Sequence, residues 1–226
     1  MLSILLLIPF LGTALLLLLP GDPPPGRMRA VAITVLGLQL LWSLRVLLAF
    51  DPSEGALQLC ESLPWVDSIG LDYRLGIDGL SMPLVLVNAA LTLVSAVCTR
   101  DISQRPRIYF ALLLLISGAV NGAFLADNLL LFFLFYELEL IPLWLLISIW
   151  GGKERAYAAT KFLLFTAVSG ILILGAFLGL ALFTGSVDFS LSPVLSDRLS
   201  MGSPLLLLGA LLIGFGIKIP QVPFHS

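Results

Sequence analysis

Long apolar runs follow one another along almost the whole chain, and nothing constrains its fold more. A helix needs about 20 apolar residues to cross a hydrocarbon core of about 30 Å. Inside that core a lipid-facing backbone can satisfy its own hydrogen bonds only as a helix or a closed barrel. Runs of helical length recur at 2–19, 30–50, 80–97, 108–125, 129–150, 158–183 and 204–226. They predict an all-α fold, a polytopic transmembrane helical bundle of about seven spans. Only 12% of the residues are charged, about half the share usual in soluble domains. The first run lacks a basic leader and an evident small-residue cleavage site, so it reads as an uncleaved span.

Most breaks between runs carry turn chemistry, such as Gly21-Asp22-Pro23-Pro24-Pro25 and Gly151-Gly152. Ala126-Asp127-Asn128 leaves so little room that the fourth and fifth spans must be antiparallel neighbours. Charge alternates from loop to loop. Arg27 and Arg29 against Asp22, Arg100, Arg105 and Arg107 against Asp101, and Lys153 and Arg155 against Glu154 make the odd loops basic. The second loop holds Asp51, Glu54, Glu61, Asp67, Asp72 and Asp78 against Arg74; the fourth has Asp127, and the sixth Asp188, Asp197 and Arg198. The positive-inside rule puts the odd loops in the cytoplasm or stroma and the N-terminus outside. Cys60 and Cys98 then fall at opposite faces, which argues against a disulfide between them. Gly118-xxx-Gly122 and Gly175-xxx-Gly179 suit close helix packing, although glycine is common in membrane helices anyway.

Ionisable residues inside such runs carry the functional signal, because a charge at the bilayer centre costs about 2.5–3.5 kcal/mol or more. In FLFYELELIP, Glu137 lies about 12 Å along its helix. Glu139 follows about 200° around the axis, so on one regular helix the two carboxylates cannot share a face. Lys218 lies about 21 Å past Pro204. Pro220 has no N–H and obstructs the Gly216 carbonyl, so the seventh span must kink or break there. Such irregular backbone is tolerated only against protein or a watery cavity. Glu137 and Lys218 therefore read as a proton or ion relay, against the alternative of an ion pair that only fixes packing. Lys161 and Arg45 can snorkel to the span ends. Glu139 and the lone histidine, His225, are open between structural and proton-handling roles. No phosphate loop, metal-ligand cluster or nucleophile constellation stands out, and no basic stripe suggests nucleic acid.

Three stretches, LGIDGLSMPLVL, ADNLLLFFLFYELELIPLWLLISIWGGKERAYAATKFLLFTAVSG and GFGIKIPQVPFHS, resemble the antiporter-like subunits of complex I. The YELELIP form is similar to the photosynthetic NAD(P)H–quinone oxidoreductase branch. The resemblance implies that Glu137 is the family's helix-five glutamate and Lys218 its helix-seven lysine, paired beside the broken helix. It places Lys161 and His225 on further family positions. It also implies a fold of about fourteen helices in two inverted repeats, of which residues 1–226 supply the N-terminal part of a single membrane domain. The chain is accordingly expected to be a fragment.

The expected function is proton translocation within a type-I NAD(P)H/ferredoxin–plastoquinone oxidoreductase, in a cyanobacterial or chloroplast thylakoid with a lumenal N-terminus. The resemblance implies partners among the other membrane subunits. It implies no cofactor on this chain, with plastoquinone, NAD(P)H or ferredoxin and iron–sulfur clusters handled elsewhere in the complex. The alternatives are a subunit of a multisubunit cation/proton antiporter and a truncated, non-conducting structural copy.

Overall fold

The computed structural model describes residues 1–226 except 22, 101, 103, 185–188, 190–201 and 225–226. Each expected span is helical. The order is α1 (Leu2–Leu18), α2 (Pro25–Ala49), β1 (Gln58–Val66), β2 (Leu71–Ile77), α3 (Ser81–Cys98), α4 (Pro106–Leu125), α5 (Leu129–Leu138), α6 (Leu140–Trp150), α7 (Arg155–Thr184) and α8 (Gly202–Lys218). Five stretches are long and apolar enough to cross a membrane alone: α2, α3, α4, α5 with α6, and α7. The shorter α1 and α8 have 17 residues each.

Local chemistry sets the helix ends. Pro25 and Pro106 begin α2 and α4, where a missing N–H costs nothing. Pro20 holds Leu19 in an extended conformation and stops α1. Asn128 accepts the amides of Leu130 and Leu131 at 3.0 and 3.1 Å and so caps α5. Asp78 does the same for α3, accepting the amides of Leu80 at 3.0 Å and Ser81 at 2.7 Å.

Two features depart from the expected all-helical bundle. The acidic second loop folds into an antiparallel hairpin, β1 with β2. Leu71, Leu75 and Ile77 turn inward, packing with Leu2, Leu5, Leu6, Leu125 and Leu131. Their period of two is a strand signal, hidden in the sequence among polar neighbours. Glu61 of β1 accepts the amides of Leu2 and Ser3 at 2.8 and 3.0 Å, tying the hairpin to the start of α1. Second, the fifth span is two helices, interrupted at Glu139. Pro142 cannot donate to the carbonyl of Leu138 and crowds it, which ends α5 there.

The side-chain contacts confirm the alternation of the loops. At one end Arg29 donates to the Ala96 carbonyl at 3.2 Å and to that of Val97, Arg107 donates to Gly21, and Trp150 donates to Gln104 at 3.0 Å. At the other end the hairpin meets the α4–α5 turn. Asp127 donates its amide to the Arg74 carbonyl at 2.8 Å and lies 3.5 Å from the Arg74 guanidinium. The basic first, third and fifth loops thus share an end. Asp22, Asp101, Asp188, Asp197 and Arg198, counted in the charge pattern, lie outside the described residues. Cys60 and Cys98 are free and exposed. Arg45 is exposed too, its guanidinium 5.8 Å from the Trp42 ring centre.

Glycines let the helices approach. A Cβ on Gly118 would sit 3.2 Å from Pro9 and Phe10 of α1, and one on Gly122 only 2.3 Å from the Phe135 ring. In the other pair, Gly179 lies under Leu207 at 2.8 Å while Gly175 faces open space. Between α2, α3 and α4 runs a polar seam: Asn88 donates to Asn121 at 2.7 Å, and Ser117 donates to Gln39 at 3.0 Å.

Two outcomes follow from this packing. Gly122→Ala should destabilise the subunit by about 1–3 kcal/mol, read as a lowered melting temperature, because the Phe135 ring has to move. Asp78→Ala should cost about 1 kcal/mol and Asp78→Asn less, because Asn caps a helix about as well as Asp. Backbone hydrogen bonding from Ser81 outweighs burial and holds the Asp78 carboxyl below its ordinary value of 3.8. Its stabilising contribution is therefore full above pH 3.8 and fades as the pH falls below that value, a loss that the Asn variant should not show on acid titration.

Candidate functional site: a lysine between broken helices

The site forms where α5, α7 and α8 meet. α8 ends at Lys218 because Pro220 cannot donate to Gly216; the Gln221 amide takes that carbonyl instead, at 2.9 Å. The expected break at Pro220 is present. α5 ends two residues after Tyr136, and the last carbonyls of a helix have no partner within it. Lys218 fills that need, since its Nζ donates to the Tyr136 carbonyl at 3.1 Å. The ammonium also lies 3.2 Å from the centre of the Tyr136 ring and 2.5 Å from Glu139 Oε1. A carboxylate, a carbonyl, an aromatic face and the negative end of α5 all favour the cation. The Lys218 and Glu139 side chains are only 20% and 17% exposed.

This pairing corrects the expected one. Glu137 and Lys218 share the site, but the direct ion pair among the described residues joins Lys218 to Glu139. The break explains the difference: Glu139 sits between the two helices, so its direction no longer follows from regular helical geometry. Glu137 stays on α5 and turns to α7, where a Cβ on Gly170 would meet Glu137 Oε1 at 2.5 Å. No hydrogen bond holds the Glu137 carboxylate among the described residues.

Polar contacts and glycines bring α7 against the other two helices. The Tyr136 hydroxyl lies 3.4 Å from Ser169 Oγ, which donates to the Gly214 carbonyl at 2.7 Å. A Cβ on Gly214 would come within 2.7 Å of Ile173. Beside Lys218 lies a cavity of about 400 Å³, lined among others by Lys161, Phe162, Phe165, Ile217 and Pro220. The ammonium of Lys161 stands 5.8 Å from the Phe165 ring centre. The structure therefore brings Glu137, Glu139, Lys161 and Lys218 to one region, and His225 lies outside the described residues. Tyr136, Ser169, Gly170 and Gly214 were not foreseen from the sequence. Pro142 was the available signal for the break that makes the Tyr136 carbonyl a partner.

A charged pair at paired helix breaks, on a bundle with this topology, defines a class: the chain has the fold of the antiporter-like membrane subunits. Residues 126–226 match the family described as NADH:quinone oxidoreductase/Mrp antiporter, TM. In sequence the chain is similar to NAD(P)H-quinone oxidoreductase chain 4 of cyanobacteria. A chain 4 of Synechococcus sp. (strain JA-2-3B'a(2-13)) is 41% identical over 225 residues, covering 100% of this chain and 42% of the relative. That of Prochlorococcus marinus (strain NATL1A) is 38% identical, again over 100% of this chain and 42% of the relative. The chain thus spans about two fifths of the length of these curated relatives. Among solved structures, a chain of respiratory complex I from Thermus thermophilus superposes with a TM-score of 0.85 at 31% identity, over 100% of this chain and 45% of that one. A chain of the Mrp complex from Dietzia sp. DQ12-45-1b superposes with a TM-score of 0.78 at 20% identity, over 100% and 24%. At that identity the likeness shows the fold alone.

The Gly170–Glu137 contact is directly testable. Gly170→Ala should leave the fold intact, at a cost below the roughly 1–3 kcal/mol of overpacking a rigid core, because the carboxylate can swing away. The infrared band of isotope-labelled Glu137 should shift. A falling melting temperature with an unmoved band would show that the helices, not the carboxylate, gave way.

Proposed function

We propose that the chain works as a proton-translocating membrane subunit of a photosynthetic NAD(P)H/ferredoxin–plastoquinone oxidoreductase. One observation carries the reading: an ammonium and two carboxylates meet inside an apolar bundle, at two helix interruptions, beside a cavity. Ionisable groups placed so deep are functional by default. Interrupted helices in transporters present exactly such unpaired backbone groups to ions. The relatives' names supply the reaction partner, a quinone, and an NAD(P)H donor.

In this reading Glu137 and Lys218 exchange protons with water reaching the Pro220 turn. Lys161 joins them across the cavity, and His225 enters on sequence alone. Electron transfer, with NAD(P)H or ferredoxin, iron–sulfur clusters and plastoquinone, belongs to other subunits, which are this chain's partners in the membrane. Residues 1–226 then form the N-terminal part of an antiporter-like domain. The basic end of the bundle faces the cytoplasm and the hairpin end, with the N-terminus, faces the thylakoid lumen.

Glu137→Gln and Lys218→Ala, made in the full-length subunit of the assembled complex, test this. Each should lower the proton gradient formed per quinone reduced, because the group that would take or give the proton is gone. A wild-type gradient from an assembled Lys218→Ala complex would overturn the proposal.

A further inference from the structure

We infer that Glu139 is a second counter-ion of Lys218, a positioning residue that holds the ammonium away from Glu137, so that the lysine alternates between two carboxylates. The inference rests on the relay reading above and adds a partner to it. Glu139 Oε1 lies 2.5 Å from Lys218 Nζ, and both side chains are largely enclosed. Glu137 instead points at α7, beside Gly170, and no hydrogen bond occupies it among the described residues. Lys218 is the final residue of α8, and its next contacts are the turn at Pro220 and the open cavity. Its flexible four-carbon stem can therefore turn without moving a helix.

Among the described residues, the charged and titratable groups around the ammonium are few. α5 and the break contribute Tyr136, Glu137 and Glu139, and α7 contributes Lys161. Glu137 and Glu139 approach Lys218 from different directions, because one is fixed by α5 and the other by the interruption. With Glu139 engaged, the ammonium keeps its proton and Glu137 is free to receive or give one. When Lys218 leaves Glu139, it can reach Glu137 or release its proton from Nζ to cavity water. No other bond changes.

The test uses the full-length subunit in the assembled complex, with quinone reduction as the measure of assembly. Glu139→Gln keeps the size and hydrogen-bonding shape but removes the charge; it should lower proton transfer per quinone about tenfold, the scale of one hydrogen bond to a charged group. Glu139→Asp keeps the charge and should retain most of the transfer. Glu137→Gln combined with Glu139→Gln should fall to the level of Lys218→Ala. Wild-type transfer in Glu139→Gln, or equal transfer in the Gln and Asp variants, overturns the inference and leaves the relay reading standing. Unimpaired Lys218→Ala removes the relay reading itself. If Glu139→Gln does not assemble, maps of the wild-type complex during turnover decide: Lys218 should contact Glu139 in one state and Glu137 in another. Contact with Glu137 alone in every state refutes it.

Discussion

The architecture depends on how one ammonium group is accommodated inside an apolar bundle. Desolvating a charge is expensive, and a single opposite charge rarely compensates for it without further hydrogen bonds. Lys218 receives more than a carboxylate. The interruption after Leu138 leaves a carbonyl of α5 for it, and the Tyr136 ring offers its negative face. Pro142 and Pro220 are thus part of the binding chemistry. Each ends a helix where the opposite end of the contact needs an unpaired group, and each frees backbone that Lys218 or Gln221 then satisfies. A continuous helix through residue 139 would present neither the carbonyl nor Glu139 in its observed direction.

Close approach of the three helices is the second requirement. Gly170 makes room for the Glu137 carboxylate, and Gly214 lets α8 reach the Ser169 turn of α7. The polar seam of Gln39, Asn88, Ser117 and Asn121 contrasts with this region. It contains neutral groups only, on uninterrupted helices, so it can tie α2, α3 and α4 together without holding a charge. The stacked rings of Phe10 and Phe135, 6.5 Å apart, add an apolar contact between α1 and α5. The neutral polar seam and the charged contact thus occupy different helices, and α5 carries both the charged contact and apolar packing against α1.

Much of this was legible in the sequence. The apolar runs gave the spans, and the loop charges gave the alternation that the Arg29, Arg107 and Trp150 contacts display. Pro220 announced its break, because a missing N–H acts locally. The hairpin was harder to see. Leu71, Leu75 and Ile77 alternate with polar residues over a short stretch, and their burial depends on α1 and α4, which come from distant parts of the chain. The pairing of Lys218 with Glu137 followed from depth in the span and from the resemblance, while the opposite faces of Glu137 and Glu139 rested on the premise of one straight helix. That premise ignored Pro142, although the same physical rule had been applied to Pro220. Gly170 and Ser169 carried no signal by themselves, since their roles arise only when α5 and α8 approach α7.

The features that admit the charge also determine what can move. Breaking a helix removes backbone hydrogen bonds from a few residues, and regions poor in such bonds open at lower free energy than the elements around them. The interruption at Glu139 and the turn at 219–224 sit at the ends of α5 and α8, while the bodies of these helices remain fixed by Tyr136, Phe132 and Phe215 in mutual ring contact. A change of partner by Lys218 therefore needs rotation about side-chain bonds and adjustment of two short turns. Sliding or tilting whole helices would have to break the Ser169–Gly214 bond and the glycine contacts together. A local rearrangement at the breaks would leave that bond and those glycine contacts in place, and would keep any change close to where the charge is held.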